Sequence, residues 1–118
     1  MTLEWSEHPA ARQEFFDALI WYEDQEKGLG ERLADEFAEG ITFIREWPDA
    51  APLHRGRVRA SAVRTKGIDV FPYRIIYLVH KAEVVVVAYA HERRRLGYWR
   101  KRLSCLLYTS TLPTKRIV

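Results

Sequence analysis

A chain of 118 residues, 47% hydrophobic and 30% charged, has the size and composition of one compact domain with a modest core. No apolar run approaches the roughly 20 residues of a membrane-spanning helix, no basic and apolar leader follows Met1, and the single Cys105 rules out an intramolecular disulfide or a thiolate metal cluster. The expectation is a soluble, cytoplasmic protein whose net charge of +3 hides a split: residues 1–50 carry a net −9 and residues 51–118 a net +12.

Met1 to Ser6 is predicted as a short strand, with Ser6 as the N-cap of a helix whose first turn holds Glu7 and Pro9. Ala11, Phe15, Ala18, Leu19 and Tyr22 recur at helical spacing and form the apolar face, with Glu14, Asp17 and Asp24 on the other. Gly28-Leu29-Gly30 breaks the pattern, and so short a link folds a second helix back antiparallel. That helix carries a stripe of Leu29, Leu33, Phe37, Ile41, Ile44 and Trp47 and stops at Pro48; Gly40 within it is a modest cost. Trp21 and Trp47 are expected in the core.

After the turn-rich stretch 49–56 the period changes to two. Val58, Ala60 and Ala62 alternate with Arg57, Arg59, Ser61 and Val63 as in a half-exposed strand, and Arg64-Thr65-Lys66-Gly67 is predicted as the turn. A strand from Ile68 to Val79 follows, with Pro72 at a bulge or unpaired edge. Lys81-Ala82 suits a tight hairpin, although it is not a preferred primed-turn pair. Glu83 to His91 is then a strand whose Val84 to Val87 run is apolar enough to be buried on both faces. Gly97 to Arg102 is a short basic helix or turn. The predicted fold is α+β, in the order β-α-α-β-β-β, with a helical hairpin packed on a mostly antiparallel sheet. It occupies residues 1–103. Residues 104–118 lack a helical stripe and are expected to be an appended tail: a cloning or frame-read-through scar, a segment ordered by a partner, or a short extra strand, in that order of preference.

Several chemistries find no support. His8, His54, His80 and His91 lie on separate segments, the basic half offers only Asp69, Glu83 and Glu92 as carboxylates, and neither a phosphate-cradling glycine loop nor a serine elbow is present. No metal and no cofactor is expected. The charge split fits one face made for a polyanion; the alternative is acidic helices neutralising a basic sheet. Arginines at strand and loop positions favour the first, because the guanidinium fork matches phosphate. Arg57, Arg59, Arg64 and Lys66 border one strand, Arg74 lies on the next, and His91 to Arg95 end the last. Metal-free RNA cleavage needs a base for the 2′-hydroxyl, charge stabilisation and an acid. Arginines supply the second, a histidine suits the first or third, and Tyr98 can stack a base or assist proton transfer. His91 is equally readable as a core-edge residue sharing a face with Val85, Val87 and Tyr89, and Arg93-Arg94-Arg95 as a solvated charge run.

Phe71-Pro72-Tyr73-Arg74-Ile75-Ile76-Tyr77-Leu78-Val79, followed by Val84-Val85-Val86-Val87-Ala88-Tyr89-Ala90-His91-Glu92-Arg93-Arg94-Arg95-Leu96-Gly97-Tyr98-Trp99, resembles the end of RelE/ParE-superfamily toxins. The resemblance implies the toxin of a type II toxin-antitoxin pair, bound by a cognate antitoxin whose C-terminal segment wraps it. In the RelE branch it implies ribosome-dependent cleavage of mRNA without metal, and in the ParE branch inhibition of DNA gyrase with no nuclease site. Arg74 matches the Arg of the RelE-like Tyr-Arg-Leu-Val-Tyr pattern, Arg93 or Arg94 with Tyr98 the terminal Arg and Tyr, and His91 the terminal-strand His of YoeB-like relatives. The paired lysines of RelE nucleases are not evident among Arg57 to Lys66, and the His-Glu-Arg-Arg ending is similar to that of plasmid stabilisation proteins. The expected catalytic set is Arg74, His91, Arg93, Arg94 and Tyr98, with Arg57, Arg59, Arg64, Lys66 and Arg95 binding RNA. The expected function is an mRNA endoribonuclease toxin acting in the ribosome; the alternatives are a gyrase inhibitor and a non-toxic antitoxin-binding homologue.

Overall fold

The computed structural model describes residues 2–54 and 62–108, with side chains described as far as 104. Its elements run β1 (Glu4–Glu7), α1 (Pro9–Gln25), α2 (Leu29–Glu46), β2 (Arg64–Gly67), β3 (Tyr73–His80), β4 (Glu83–His91) and α3 (Arg100–Tyr108). The sheet order is β1-β4-β3-β2, with β1 parallel to β4 and the other pairs antiparallel. The predicted α+β arrangement is observed, and the segment expected over 97–102 as a short basic helix or turn leads into α3, which starts at Arg100.

The cap of α1 lies two residues later than expected. His8, not Ser6, is the N-cap: its Nδ1 accepts the Ala10 N–H at 3.0 Å, and Pro9 occupies the first helical position. Ser6 is buried within β1 instead, opposite Val85. Ala11 and Ala18 of α1 are buried, and Phe15, Leu19 and Tyr22 pack on the core as the spacing predicts. Gly28, at φ 92°, makes the left-handed turn between the helices. Gly30 then lets them touch: a Cβ there would lie 2.6 Å from the Leu19 carbonyl oxygen. Leu33, Phe37, Ile41 and Ile44 of α2 are buried, and Gly40, expected as a mere tolerance, is where α2 meets Ile75 of β3. Trp21 and Trp47 depart from expectation, being 56% and 60% exposed. Trp47 is the C-cap of α2, past its last buried turn, and Trp21 precedes Tyr22 on α1, turned off the buried face.

Residues 55–61 lie outside the described set, and with them most of the strand expected over 57–63. The segment 64–67, expected as a turn, is strand β2: Thr65 and Lys66 stand opposite Ile76 and Ile75. The turn lies at 68–72, where Glu36 Oε1 accepts the backbone N–H groups of Asp69 and Val70. Hence β3 starts after Pro72 rather than at Ile68. Lys81 and Ala82 do form the two-residue turn, with φ of 51° and 62°, the left-handed pair that a primed turn requires. Strand β4 is central and buried on both faces. Its helix side holds Val84, Val86 and Tyr89; its other side holds Val87, Ala88 and Ala90 beneath Trp99 and Leu103. A bulge causes the change of phase: Ile76 stands opposite Ala88 and Tyr77 opposite Val86, so Val87 is the extra residue. The expected face of Val85, Val87, Tyr89 and His91 is therefore split. Helix α3 runs on through residues 104–108, where an appended tail, or at most a short extra strand, was expected; residues 109–118 lie outside the described set.

Two glycine-type positions give opposite predictions. Gly30→Ala forces a methyl group into the Leu19 carbonyl and is expected to lower unfolding stability by about 1–3 kcal/mol. Ala82→Gly removes the left-handed penalty at that residue and is expected to raise stability by about 1 kcal/mol. Urea denaturation monitored by circular dichroism reads both.

Candidate phosphate pocket and its carboxylate anchor

The end of the sheet gathers residues that are far apart in the chain. Tyr73 of β3 stands opposite His91 of β4, and Arg74 opposite Ala90. The chain then turns through 92–99, closed by Arg94 N–H to the His91 carbonyl and Tyr98 N–H to the Arg95 carbonyl, with Gly97 at φ 79°. Between this turn and β2 lies a cavity of about 380 Å³ lined by Arg74, His91, Arg94, Arg95, Tyr98 and His54, among others. Arg74 reaches across β2, its Nη2 donating to Thr65 Oγ1 at 3.2 Å while its guanidinium lies over Gly67. The Arg94 guanidinium lies 3.8 Å above the centre of the Tyr98 ring, a cation–π contact that fixes it at the rim. His91 is half-buried, edge-on to Tyr73 at 5.1 Å, and its Nδ1 accepts the Arg93 N–H at 3.0 Å. A neutral His91 in this geometry carries its proton on Nε2.

Of the residues singled out from the sequence, Arg74, His91, Arg94, Arg95 and Tyr98 line this cavity; Arg93 does not. Arg64 and Lys66 do not either. Arg64 donates to the Ala51 carbonyl at 2.7 Å and pairs with Asp49, while Lys66 reaches its Nζ to the Gly67 carbonyl and over the Phe43 ring. Arg57 and Arg59 lie outside the described residues. Among the described residues, no three His, Cys, Asp or Glu side chains converge as metal ligands, and no helix is long and apolar enough to cross a membrane.

The cavity is held in shape from outside by Glu14, expected on the solvent face of α1. Its Oε1 accepts the Tyr89 N–H and Arg102 Nη1, each at 3.1 Å; its Oε2 accepts the Tyr98 hydroxyl at 2.7 Å and Arg102 Nη2 at 2.9 Å. Arg102 also donates to the carbonyl of Val87, the bulged residue of β4. Glu14 therefore ties α1, β4, the 92–99 turn and α3 together. The Tyr98 hydroxyl is committed to this carboxylate, so Tyr98 faces the cavity as the platform under Arg94. Burial, then the Glu14 hydrogen bond and charge, push the Tyr98 phenol well above its ordinary range.

Glu14 was legible in principle: it lies three residues after Ala11 and four before Ala18, both in the apolar stripe. His54 had no such signal. The Leu53–Arg64 bridge and a 2.6 Å bond from His54 N–H to the Val63 carbonyl bring it to the cavity, where its ring meets Trp99 at 4.8 Å. Burial, and then the Arg100 charge, lower its pKa and favour the neutral imidazole.

Glu14→Gln is expected to destabilise the fold by about 2–3 kcal/mol, below the roughly 3–5 kcal/mol of a fully buried broken pair, since the Arg102 and Glu14 side chains remain 17% and 16% exposed. Burial raises the phenols of Tyr73, Tyr77, Tyr89 and Tyr98 alike. The native state thus keeps protons that the unfolded state loses, so stability is constant with respect to these groups below pH about 10 and falls above it. In Glu14→Gln that alkaline slope is expected to be shallower, which urea midpoints taken across the pH series measure.

No protein-family model matches the sequence, and no curated protein matches it. A chain of a solved structure, "Chromosomal ParDE TA system from P. aeruginosa", is similar in fold, with a TM-score of 0.64 at 11% identity, covering 76% of this chain and 96% of that one. The chain has a ParE-like α+β fold.

Proposed function

We propose that the protein is the toxin of a type II toxin-antitoxin pair and that it cleaves mRNA through the phosphate pocket. One observation carries the reading: Arg74, His91 and Arg94, from β3, the end of β4 and the following turn, line a single cavity that opens to solvent. Among the described residues, Arg74, Arg94 and Arg95 form no salt bridge. Their positive charge is available to a phosphodiester, and the arginine fork suits the extra charge of a phosphorane. His91 Nε2–H donates to a phosphate oxygen in the same site. Glu92 also lines the cavity. Ionised, it is an acceptor and takes the 2′-hydroxyl proton; the 2′-oxygen attacks phosphorus, the 5′-oxygen leaves, and water from the open side protonates it. The roles of Arg93 and of the tyrosine hydroxyl are reduced in this scheme, because the first lies outside the cavity and the second is bound to Glu14.

The cognate antitoxin is the proposed partner, and the exposed Phe16 and Ile20 of α1 offer it apolar surface. The similar solved structure is of a ParDE system, which supports the pairing and also favours a second reading in which the protein acts on DNA gyrase without a nuclease step.

Induced expression followed by primer extension on translated mRNA separates the two. The nuclease reading predicts new 5′ ends inside coding regions, reduced about 100-fold or more by Arg74→Ala and strongly by Glu92→Gln, with both variants still folded by circular dichroism. Growth arrest with no new ends would overturn it. A loss of gyrase supercoiling with purified protein would then establish the second.

A further inference from the structure

A second cavity, of about 390 Å³, shares His91 and Arg94 with the phosphate pocket and lies between α1 and the ends of β3 and β4. Its chemistry is different. Four aromatic rings, Trp21, Tyr22, Tyr73 and Tyr89, contribute to its wall, and the carboxylates present are Asp17 and Glu14. Tyr89 is buried, Tyr22 and Tyr73 are half-buried, and Trp21 stands 56% exposed, edge-on to Tyr22 with ring centres 4.9 Å apart. Among the described residues, the Trp21 ring is left open to solvent beside the cavity, where it can serve as a stacking platform.

The charges decide what fits. Glu14 is matched by Arg102 at 2.9 Å, and Arg94, held by the Tyr98 face, is shared with the phosphate pocket, so with Arg94 given to the phosphodiester the Asp17 carboxylate is the charge this cavity keeps for a ligand. Beyond the shared Arg94 and His91 the cavity has no basic side chain to hold a phosphate of its own, and one exposed carboxylate beside four aromatic rings serves as a hydrogen-bond acceptor. It suits a flat, neutral, hydrogen-bonding ring. Asp17 Oδ1 accepts from Gln13 Nε2 at 2.8 Å, which orients the carboxylate and leaves its other oxygen to accept from a ligand. Aromatic faces hold nucleobases by stacking, and a carboxylate selects those that carry an exocyclic amine.

We propose that this cavity is a nucleobase subsite: a base of the bound RNA stacks on Trp21 and donates its amine to Asp17, while the adjoining phosphodiester lies against Arg74, His91 and Arg94. The inference rests on the phosphate-pocket reading, because continuity through His91 and Arg94 is what makes the occupant part of the same RNA. It adds a preference the phosphate pocket lacks, for cytosine, adenine or guanine over uracil.

The test uses 2′-O-methyl trinucleotides, which cannot be cleaved, with the central base either cytosine, uracil or absent, and calorimetric affinities for the full chain. The expected result is that the cytosine form binds about tenfold or more tightly than the abasic form, and more tightly than the uracil form. Trp21→Ala is expected to erase the first difference while leaving the abasic affinity unchanged, Trp21→Phe to retain most of it, and Asp17→Asn to erase the cytosine preference. Equal binding of base-bearing and abasic forms to the unmodified protein overturns the subsite and leaves the phosphate pocket standing. No binding of any form overturns both. Binding of arginine amide that is lost in Trp21→Ala, with no discrimination among the trinucleotides, overturns the subsite in favour of a cationic peptide side chain.

Discussion

A carboxylate on the first helix holds the C-terminal half of this fold in place. Glu14 is largely buried, and an ionised carboxylate so placed is tolerable only if its oxygens are satisfied. Here they receive the Tyr89 N–H, the Tyr98 hydroxyl and both arms of Arg102, so one side chain fixes the central strand, the turn after it and the last helix. Arg102 completes the arrangement by satisfying the Val87 carbonyl at the bulge. The bulge in turn moves Tyr89 and His91 to the helix side, where His91 meets Tyr73. The position of the candidate catalytic histidine is thus a consequence of a strand irregularity and of the ion pair that stabilises it.

The same anchor sorts the arginines. The opposite charges of the two halves of the chain partly neutralise each other within the domain, through Arg102 with Glu14 and Arg64 with Asp49. Internal neutralisation thus accounts for part of the charge split, and the arginines of the cavity for another part. Arg64, Arg102 and Lys66 are occupied with backbone carbonyls, carboxylates or a ring, whereas Arg74 and Arg94 are held by Thr65 and by the Tyr98 face, contacts that position a guanidinium without neutralising it. That difference is what makes the cavity, rather than the whole basic half, the candidate phosphate site.

Much of the fold was legible in the sequence where period and burial agree. The stripe from Leu33 to Ile44 and the valine run of β4 each meet a core that rewards their pattern. Short segments were not. A four-residue strand such as β2 has no period long enough to distinguish it from a turn; its pairing with β3, a tertiary matter, decides it. Trp21 and Trp47 were misplaced because hydrophobicity alone does not say which side of a helix stripe a ring falls on. The C-terminal residues of the site were legible as types and as a cluster in sequence, but which of them converge depends on the bulge, which no local pattern announces. His54 comes from a loop whose path is set by a single bridge to β2.

The place where a phosphodiester binds is the most direct test of the pocket. Nuclear magnetic resonance titration of the isotope-labelled protein with inorganic phosphate follows the side-chain nitrogens of Arg74, His91 and Arg94 together with the backbone amides. The prediction is saturable shifts concentrated on these three residues and the 92–99 turn, weakening as salt is raised. Shifts confined to Arg64, Lys66 and the helical hairpin, with Arg74, His91 and Arg94 unmoved, would contradict it.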